Sequence, residues 1–371
     1  MSQDNNVLPP PDDARIAADT ARGIKFSEDG RTLIAYNREL SEDTYAVPEE
    51  VTGIGDNAFE CADLKSVNVH AGVTSIGFGA FAGVEKVEIA SENKSFFADP
   101  HGAVFDRKKG ALLYLPPSFC GWYDIPDGAT VIGDLAFRGC CDLKGITIPA
   151  SVTGIGKLAL AGVKRVEIEP ENRAFFADSF GAVFDSTGST LLYFPREFSG
   201  EYAIPQGVTS IGDMAFSRCS GLTGVDIPVG VTSIGKSEFE DCVGLERVVI
   251  PEGVTTIGDM AFRNCSRLKE AAIPDSVKSI GDMAFSRCSS LTDVTIPGSV
   301  ASIGQRAFYW CLGLTSVNIG DGVTGIGVQA FQGCLNLKVA NVPRSVVDFG
   351  DAAFKDCPCE VSIKLKCPNY D

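Results

Sequence analysis

The strongest constraint on this chain is a 23-residue repeat that fills its C-terminal half. An Ile-Gly pair returns every 23 residues, and Phe349-Gly350 ends the series. Similar pairs in the N-terminal half are separated by longer, variant units. Because equivalent positions of every period need equivalent surroundings, such a chain is expected to stack its periods. The regular pairs begin at Ile211, Ile234, Ile257, Ile280, Ile303 and Ile326.

Each period contains one short strand. Leu222 to Gly244 reads LTGVDIPVGVTSIGKSEFEDCVG, and its LxxVxI stretch alternates inward and outward positions until Pro228 removes a ladder donor. One turn cannot bury its apolar side, so neighbouring turns must pair their strands in parallel. The sequence predicts a β-rich solenoid with one parallel sheet and irregular or short helical return segments. Its 14 predicted rungs are centred on Val47, Val67, Val87, Ile125, Ile146, Val166, Ile204, Val225, Val248, Ala271, Val294, Val317, Ala340 and Val361.

The repeat pattern L-x-x-V-x-I-P-x-x-V-x-x-I-G-x-x-A-F-x-x-C resembles the leucine-rich repeat of BspA-like proteins over residues 24–365. The pattern is specific, because its Ile-Gly, Ala-Phe and Cys elements recur together. It departs at Leu160, where Phe is expected, and at Glu238, where Ala is expected. The resemblance implies a leucine-rich repeat stack and a cell-surface or secreted adhesin that binds proteins.

The predicted organisation has three parts. Residues 1–23 form a flexible or weakly helical lead-in, residues 24–365 form the solenoid, and residues 358–371 hold the C-terminal cap and tail. Within the solenoid, the regular 23-residue repeats occupy about residues 209–357. Units that carry an excursion span about residues 24–51, 90–129 and 169–208.

The excursions are predicted to be β-hairpins. The segments 92–106 and 171–185 agree at eleven of fifteen positions, and a short turn separates each from a Leu-Leu-Tyr strand. Residues 26–36 resemble half of a third copy. Insertions of this kind fall on one face of a solenoid and often bind, although added edge support without a ligand explains them equally simply.

Nine of the 13 cysteines follow the repeat Phe or Leu, so stacking predicts a buried column of reduced thiols that packs as small apolar groups. Four cysteines lie off this column. A zinc site formed by Cys357, Cys359 and Cys367 is disfavoured because they lack a paired C-x-x-C spacing. No metal and no cofactor is therefore expected. The column is Cys61, Cys140, Cys219, Cys242, Cys265, Cys288, Cys311, Cys334 and Cys357, and the others include Cys120 and Cys141.

Residues 230–237, GVTSIGKS, match the phosphate-binding pattern GxxxxGK[ST], but the same positions one period later read GVTTIGDM. The glycines therefore belong to the repeat turn, and no nucleotide site is predicted. His70 and His101 are interpreted as solvated side chains, since neither adjoins a nucleophile motif. No paired carboxylates suit acid–base chemistry, so the chain is not expected to be an enzyme.

The net charge of −16 disfavours nucleic acid or an anionic membrane as a partner. No apolar run is long enough to span a bilayer. Residues 1–23 lack the basic and apolar regions of a signal peptide, which favours a cytoplasmic protein, whereas the family resemblance favours the cell surface or secretion. The compartment, the identity of the partner and the oligomeric state stay open.

Outward strand positions are the candidate protein-binding surface. They form two rows at the second and fourth positions after the repeat Leu, and the rows are small, polar and mildly acidic. A solvated sheet face without a partner would look the same. The candidate residues on the fourth-position row are Asn68, Glu88, Glu167, Asp226, Asn318 and Asn341.

Aromatic side chains supply three further candidates. Tyr309 and Trp310 replace residues that are polar in most copies, so both are expected to be exposed, and such residues often anchor interfaces. A surface cation–π contact between Trp310 and Arg287 is the alternative. In the pair Trp122-Tyr123, Tyr123 takes a core position and Trp122 is the candidate. The sequence thus predicts a non-catalytic, possibly adhesin-like, protein-binding repeat protein, with an intracellular interaction scaffold as the alternative.

Overall fold

The computed structural model describes residues 14–60, 62–358 and 360–363. The chain divides into two compact units, unit 1 (Met1–Ala174) and unit 2 (Phe175–Asp371). Both consist of short strands joined by turns, and the described residues contain one α-helix, α1 (Ala14–Ala21). Each unit is a stack of parallel turns, as the repeat predicts.

The LxxVxI segments form a ladder of parallel strands in each unit, which we call the front ladder. The ladder of each unit consists of two sheets, and adjacent strands of one sheet pair in register one turn apart, as Val225 and Val248 do. The front strands of unit 1 are β3 (Thr44–Ala46), β5 (Ser66–Val69), β7 (Val87–Ile89), β11 (Gly121–Asp124), β13 (Leu143–Ile148) and β15 (Val166–Ile168). Those of unit 2 are β19 (Ser199–Ala203), β21 (Gly221–Asp226), β23 (Arg247–Val249), β25 (Glu270–Ala271), β27 (Asp293–Ile296), β29 (Ser316–Ile319), β31 (Val339–Val342) and β33 (Glu360–Ile363).

A second ladder, the back ladder, runs through the Ile-Gly pairs, so the prediction of one parallel sheet is incomplete. In most turns the residue before Ile and the Ile itself pair with the next turn, and the Gly258 N–H donates to Ile234 O at 2.9 Å. Two residues are too short to show strand alternation in the sequence. The parallel back strands are β2 (Thr32–Ala35), β4 (Gly53–Ile54), β6 (Ser75–Ile76), β10 (Ala111–Tyr114), β12 (Val131–Ile132) and β14 (Gly154–Ile155) in unit 1. In unit 2 they are β18 (Thr190–Tyr193), β20 (Ser210–Ile211), β22 (Ser233–Ile234), β24 (Thr256–Ile257), β26 (Ser279–Ile280), β28 (Ser302–Ile303), β30 (Gly325–Ile326) and β32 (Asp348–Phe349).

Between the two ladders of unit 2 the repeat phenylalanines stack in a column. The ring centroids of Phe216 and Phe239 are 4.9 Å apart, and those of Phe239 and Phe262 are 5.2 Å apart with the planes 3° from parallel. The column continues to Phe354, and its rings from Phe216 to Phe331 are fully buried. Stacking of equivalent residues, the premise of the solenoid prediction, is confirmed.

The cysteine column is also present. Cys265 is fully buried, and its thiol donates to Phe239 O at 3.1 Å; Cys288 repeats this contact with Phe262 O at 3.2 Å. The thiol therefore satisfies a carbonyl of the preceding turn as well as filling space. Burial raises the pKa of the Cys311 thiol to about 12, so the reactive thiolate is suppressed. Cys61 lies outside the described residues.

This burial predicts selective thiol chemistry. Brief treatment of the folded protein with iodoacetamide should modify Cys120 and Cys141, which are exposed, and leave the buried column cysteines unmodified until denaturant is added. Peptide mass spectrometry before and after unfolding measures this directly. Modification of Cys265 in the folded protein at the rate of Cys120 would contradict the buried column.

Two excursions are three-stranded antiparallel sheets that join the back ladder. The predicted hairpin, β9 (Val104–Asp106) with β10, is confirmed, and β8 (Phe96–Ala98) adds a further antiparallel strand. In unit 2, β16 (Phe175–Ala177) and β17 (Val183–Asp185) repeat this arrangement with β18. The N-terminal excursion has β1 (Lys25–Phe26) against β2 alone.

Three predicted rung centres were wrong by two residues. Tyr45, Tyr123 and Tyr202 pair with the central residues Val67, Ile146 and Val225 of the next turns, whereas Val47, Ile125 and Ile204 follow the strands. A shift by two keeps the same side of a strand buried, so alternation alone did not reveal it.

Part of the lead-in, predicted to be flexible or weakly helical, is the helix α1. Asp19 is buried and accepts a 2.7 Å hydrogen bond from Tyr45 Oη, and Arg22 contacts the same carboxylate at 3.1 Å. These contacts fix the helix on the first turn of unit 1.

Candidate protein-interaction face

The outward rows of the front ladder lie where the sequence predicts them. In β5 Val67 is buried while Ser66 and Asn68 point outward and are partly exposed, and in β27 Val294 is buried between exposed Asp293 and Thr295. Backbone groups of these strands are used within the ladder, so side chains alone present the chemistry of this face.

In unit 1 the structure places Asn68 and Glu88 side by side. They are register partners on β5 and β7, and the Glu88 carboxylate accepts from Lys86 Nζ at 2.6 Å. Within the described part of the chain, Asn68 Oδ1 has no hydrogen-bond partner and is shielded from solvent. This part of the face therefore presents an acidic and a basic group to solvent, whereas the unused Asn68 acceptor is shielded.

Trp122 and Glu167 lie on the second front sheet of unit 1. The Trp122 indole Nε1 donates to Thr147 Oγ1 at 2.8 Å, and the ring lies over Gly145, where a Cβ would be 2.4 Å from it. Glu167 is next to Thr147 in the ladder and pairs with Arg165 at 3.2 Å. Trp122 is half-buried against the sheet, and the Arg165 guanidinium lies over its ring, 6.0 Å from the centroid.

In unit 2 Asp226 belongs to a charge cluster and the two asparagines form a neutral pair. Arg247 donates to Asp226 Oδ1 at 2.6 Å and to Glu201 Oε2 at 3.3 Å. Asn318 and Asn341 are register partners on β29 and β31. The face thus varies from charged to neutral within a single unit.

A groove of about 860 Å³ opens beside the face in unit 1. The front strand β7 contributes Glu88, Lys86 lies directly before it, and the excursion unit contributes Asp99, His101 and Phe119. Of the predicted site residues, Glu88 alone lines it.

The excursion is held in place by an aromatic cluster. His101 packs edge-on against Phe119 at 5.3 Å and Tyr123 at 5.9 Å, and Tyr123 Oη donates to Asp99 Oδ2 at 2.8 Å. Unit 2 repeats it, with Phe180 against Phe198 and Tyr202, and with Tyr202 Oη bonded to Asp178 at 2.7 Å. Sequence reasoning missed this cluster and the groove, although the Asp-to-Tyr spacing of 24 residues recurs in both copies.

Tyr309 and Trp310 precede β29 on the return path and are not on the front face. Trp310 is 48% exposed, as expected, but Tyr309 is half-buried. The Arg287 alternative was wrong: the cation–π contact joins Arg306 to Tyr309 at 5.8 Å, and the Trp310 indole lies on Gly333 one turn on. Trp310 has a φ of 58°, close to the φ of 63° at Arg287, the equivalent residue one turn earlier. This left-handed conformation turns the Trp310 side chain outward.

The interpretation of His70 as solvated is wrong. Its side chain is 11% exposed, Nδ1 accepts from the Gly72 N–H at 3.1 Å, and Glu49 lies 3.3 Å away.

In residues 230–237, which match the phosphate-binding pattern, the Gly235 N–H donates to Glu238 Oε2 at 2.6 Å, so this amide is used within the turn. The described residues contain no group of three potential metal ligands, and Cys359 and Cys367 lie outside them.

These features define the class: a leucine-rich repeat solenoid whose exposed face and excursions carry its surface chemistry. The model of the BspA type leucine rich repeat region matches residues 35–97, 121–180, 194–312 and 232–361, with six copies. The chain belongs to this family. Its members are typically interaction or surface proteins and are generally not enzymes. A search of the curated proteins gives no match.

A solved structure supports the fold. A leucine-rich repeat protein from Eubacterium ventriosum is 26% identical, with 88% of this chain and 85% of that chain covered and a TM-score of 0.64. A leucine rich cell surface protein from Faecalibacterium prausnitzii is 21% identical over 89% of this chain and 93% of that chain, with a TM-score of 0.47. No helix in the described residues has the length and apolar character needed to cross a membrane.

Proposed function

We propose that the protein binds other proteins without catalysis, through the front face, the adjoining groove of unit 1 and the exposed Trp310. The observation that carries the proposal is the outward row itself, in which fully paired strands present charged and amide side chains beside a groove of about 860 Å³. Broad recognition surfaces of this kind are how solenoid proteins bind. The residues assigned to contact the partner are Asn68, Glu88, Glu167, Asp226, Asn318, Asn341, Trp122, Tyr309 and Trp310.

Two charge-reversal variants, one in the front strands and one in the turns that follow front strands, test this assignment. The front variant carries Glu88→Lys, Glu167→Lys and Asp226→Lys, and each of these carboxylates is exposed. Its control carries Asp127→Lys, Glu171→Lys and Glu252→Lys, which are equally exposed but lie in the turns that follow front strands. The net charge is therefore identical in both variants.

We expect affinity capture from the native cells and their surroundings to retain a partner with wild type and with the control, and to lose it with the front variant. Trp310→Ala should weaken the same partner by about tenfold, as the loss of an interface anchor does, and leave the unfolding midpoint unchanged. A partner set that is the same for both triple variants would refute binding through the front face.

The cellular role is proposed to be adhesin-like, in keeping with the family. The free cysteines, two of them exposed, favour an intracellular scaffold as a second candidate, because oxidising compartments pair such thiols. Protease treatment of intact cells separates the two. Loss of the protein supports the adhesin, and its survival in intact cells together with digestion after lysis supports the scaffold.

A further inference from the structure

The N-terminal excursion has a strand edge that no described strand covers. In the other two excursions the equivalent edge is covered. The terminal strand of its sheet is β1, which pairs with β2 alone. The equivalent strands β9 and β17 are each covered on their outer edge by an antiparallel strand, β8 and β16. The chain thus contains two occupied versions of a position that no described strand occupies at β1.

The residue equivalence is set by the register with the back ladder. Phe26 pairs with Leu33 as Phe105 pairs with Leu112. The covering strand places Phe97 on Phe105, with the rings stacked at 5.2 Å; Phe176 does the same on Phe184 at 5.4 Å. Among the described residues no aromatic ring stacks on Phe26.

The backbone at this edge points outward. The Ser27 N–H donates inward to Thr32 O at 2.9 Å, so alternation directs the N–H and C=O of Phe26 toward the open side. In the second excursion the outward-facing alternate positions bind the added strand. There the N–H of Arg107, two residues after Phe105, donates to Ser95 O at 2.8 Å.

A groove of about 630 Å³ lies along this edge. Its wall opposite β1 is α1, through Ile16 and Thr20, and Phe26 and Ile34 supply apolar surface. The helix takes the place in the sequence that β8 has in the second excursion, and a helix cannot satisfy a strand edge because its own backbone groups are paired internally.

The charges beside the edge specify the occupant. The Phe97–Phe105 register places the residue after the incoming aromatic opposite Lys25 and the residue two before it opposite Glu28. Both of these side chains are exposed and lie along the groove. Opposite charges across paired strands are favourable, so an acidic residue fits opposite Lys25 and a basic residue opposite Glu28.

We propose that β1 binds an extended segment of a partner protein by strand addition. This segment carries an aromatic residue, one basic residue two positions before it and an acidic residue directly after it. This surface is separate from the front face and does not depend on it. The incoming backbone pairs antiparallel with Phe26, and the incoming aromatic ring stacks on the Phe26 ring.

The test uses the full chain and the fluorescent peptide Thr-Lys-Val-Phe-Glu-Thr, capped at both ends. We expect saturable binding, and amide hydrogen exchange should slow in residues 24–28 but not in residues 103–107. N-methylation of the peptide's phenylalanine keeps every side chain and removes one backbone donor, and should weaken binding by at least about tenfold. Equal binding of the N-methylated peptide would refute strand addition.

A charge swap supplies the matched control. The peptide Thr-Glu-Val-Phe-Lys-Thr should bind wild type about fivefold more weakly, and the variant Lys25→Glu with Glu28→Lys should reverse this order. Both substituted side chains are exposed, so folding is unaffected. If the peptide binds only after removal of residues 1–13, the occupant is this chain's own N-terminus and the partner proposal fails.

Discussion

Replacing Phe262 with Ala should lower the free energy of unfolding by about 4 kcal/mol, in the middle of the range for a buried aromatic residue. The Phe262 ring is fully buried between Phe239, at 5.2 Å, and Phe285, at 5.1 Å. The substitution therefore removes two stacking contacts and leaves a cavity that neighbouring turns cannot close without breaking both ladders. Urea unfolding followed by circular dichroism measures the loss.

The matched control is Phe78→Ala. The Phe78 side chain is 54% exposed, so the same deletion should cost less than about 1 kcal/mol. Since each turn of a repeat protein contacts mainly its neighbours, hydrogen exchange after Phe262→Ala should accelerate first in residues 239–285. A similar cost for both substitutions would mean that Phe262 is not in a packed column.

Replacing Glu238 with Ala should stabilise the protein at neutral pH. Glu238 is fully buried where the other regular turns have Ala, its Oε1 has no partner among the described residues, and burial raises its carboxyl pKa to about 8, with Asp213 adding to the effect. Below the unfolded pKa of about 4.5 both states hold the proton, and Glu238 carries no ionisation cost. As the pH rises, the unfolded state releases the proton first, so stability falls until the pH passes the folded pKa.

The gain from Glu238→Ala should therefore grow from about 1 kcal/mol at pH 5 to about 3 kcal/mol at pH 7. Glu238→Gln is the companion variant, because it removes the charge and keeps the side-chain length. It should abolish the pH dependence but gain less, since its buried amide still lacks partners. Urea titrations at both pH values decide the matter, and a gain that does not change with pH would show that the native carboxylate is already ionised.

The sequence predicted the features that the repeat period controls. The Phe and Cys columns and the outward rows follow from a fixed 23-residue step, because equivalent residues of stacked turns must lie above one another. The back ladder was missed because two residues such as Ser233 and Ile234 show no alternation. Val47 was predicted as a rung centre in place of Tyr45 because a shift of two leaves the buried side unchanged.

The candidate site was predicted less completely than the fold. The exposure of Glu88 and Asp226 could be read from alternation, but the groove beside Glu88 depends on how the excursion folds back against the ladder. His70 was misjudged because Glu49 meets it only after neighbouring turns pair. Such contacts depend on the stacking of specific side chains and leave no periodic signal.

Spin-label distances across the turns of unit 2 test the stacked-column account most directly. Val229, Asp321 and Arg344 are exposed at equivalent positions, and the two later residues lie four and five periods after Val229. With cysteine labels at these positions and the reactive native cysteines replaced by serine, the pair 229–321 should give about 19 Å between backbone sites and the pair 229–344 about 24 Å, a gain of one strand spacing per turn. Narrow distributions at those distances support the account; broad distributions beyond about 40 Å, or a separation that does not grow from the first pair to the second, would contradict it.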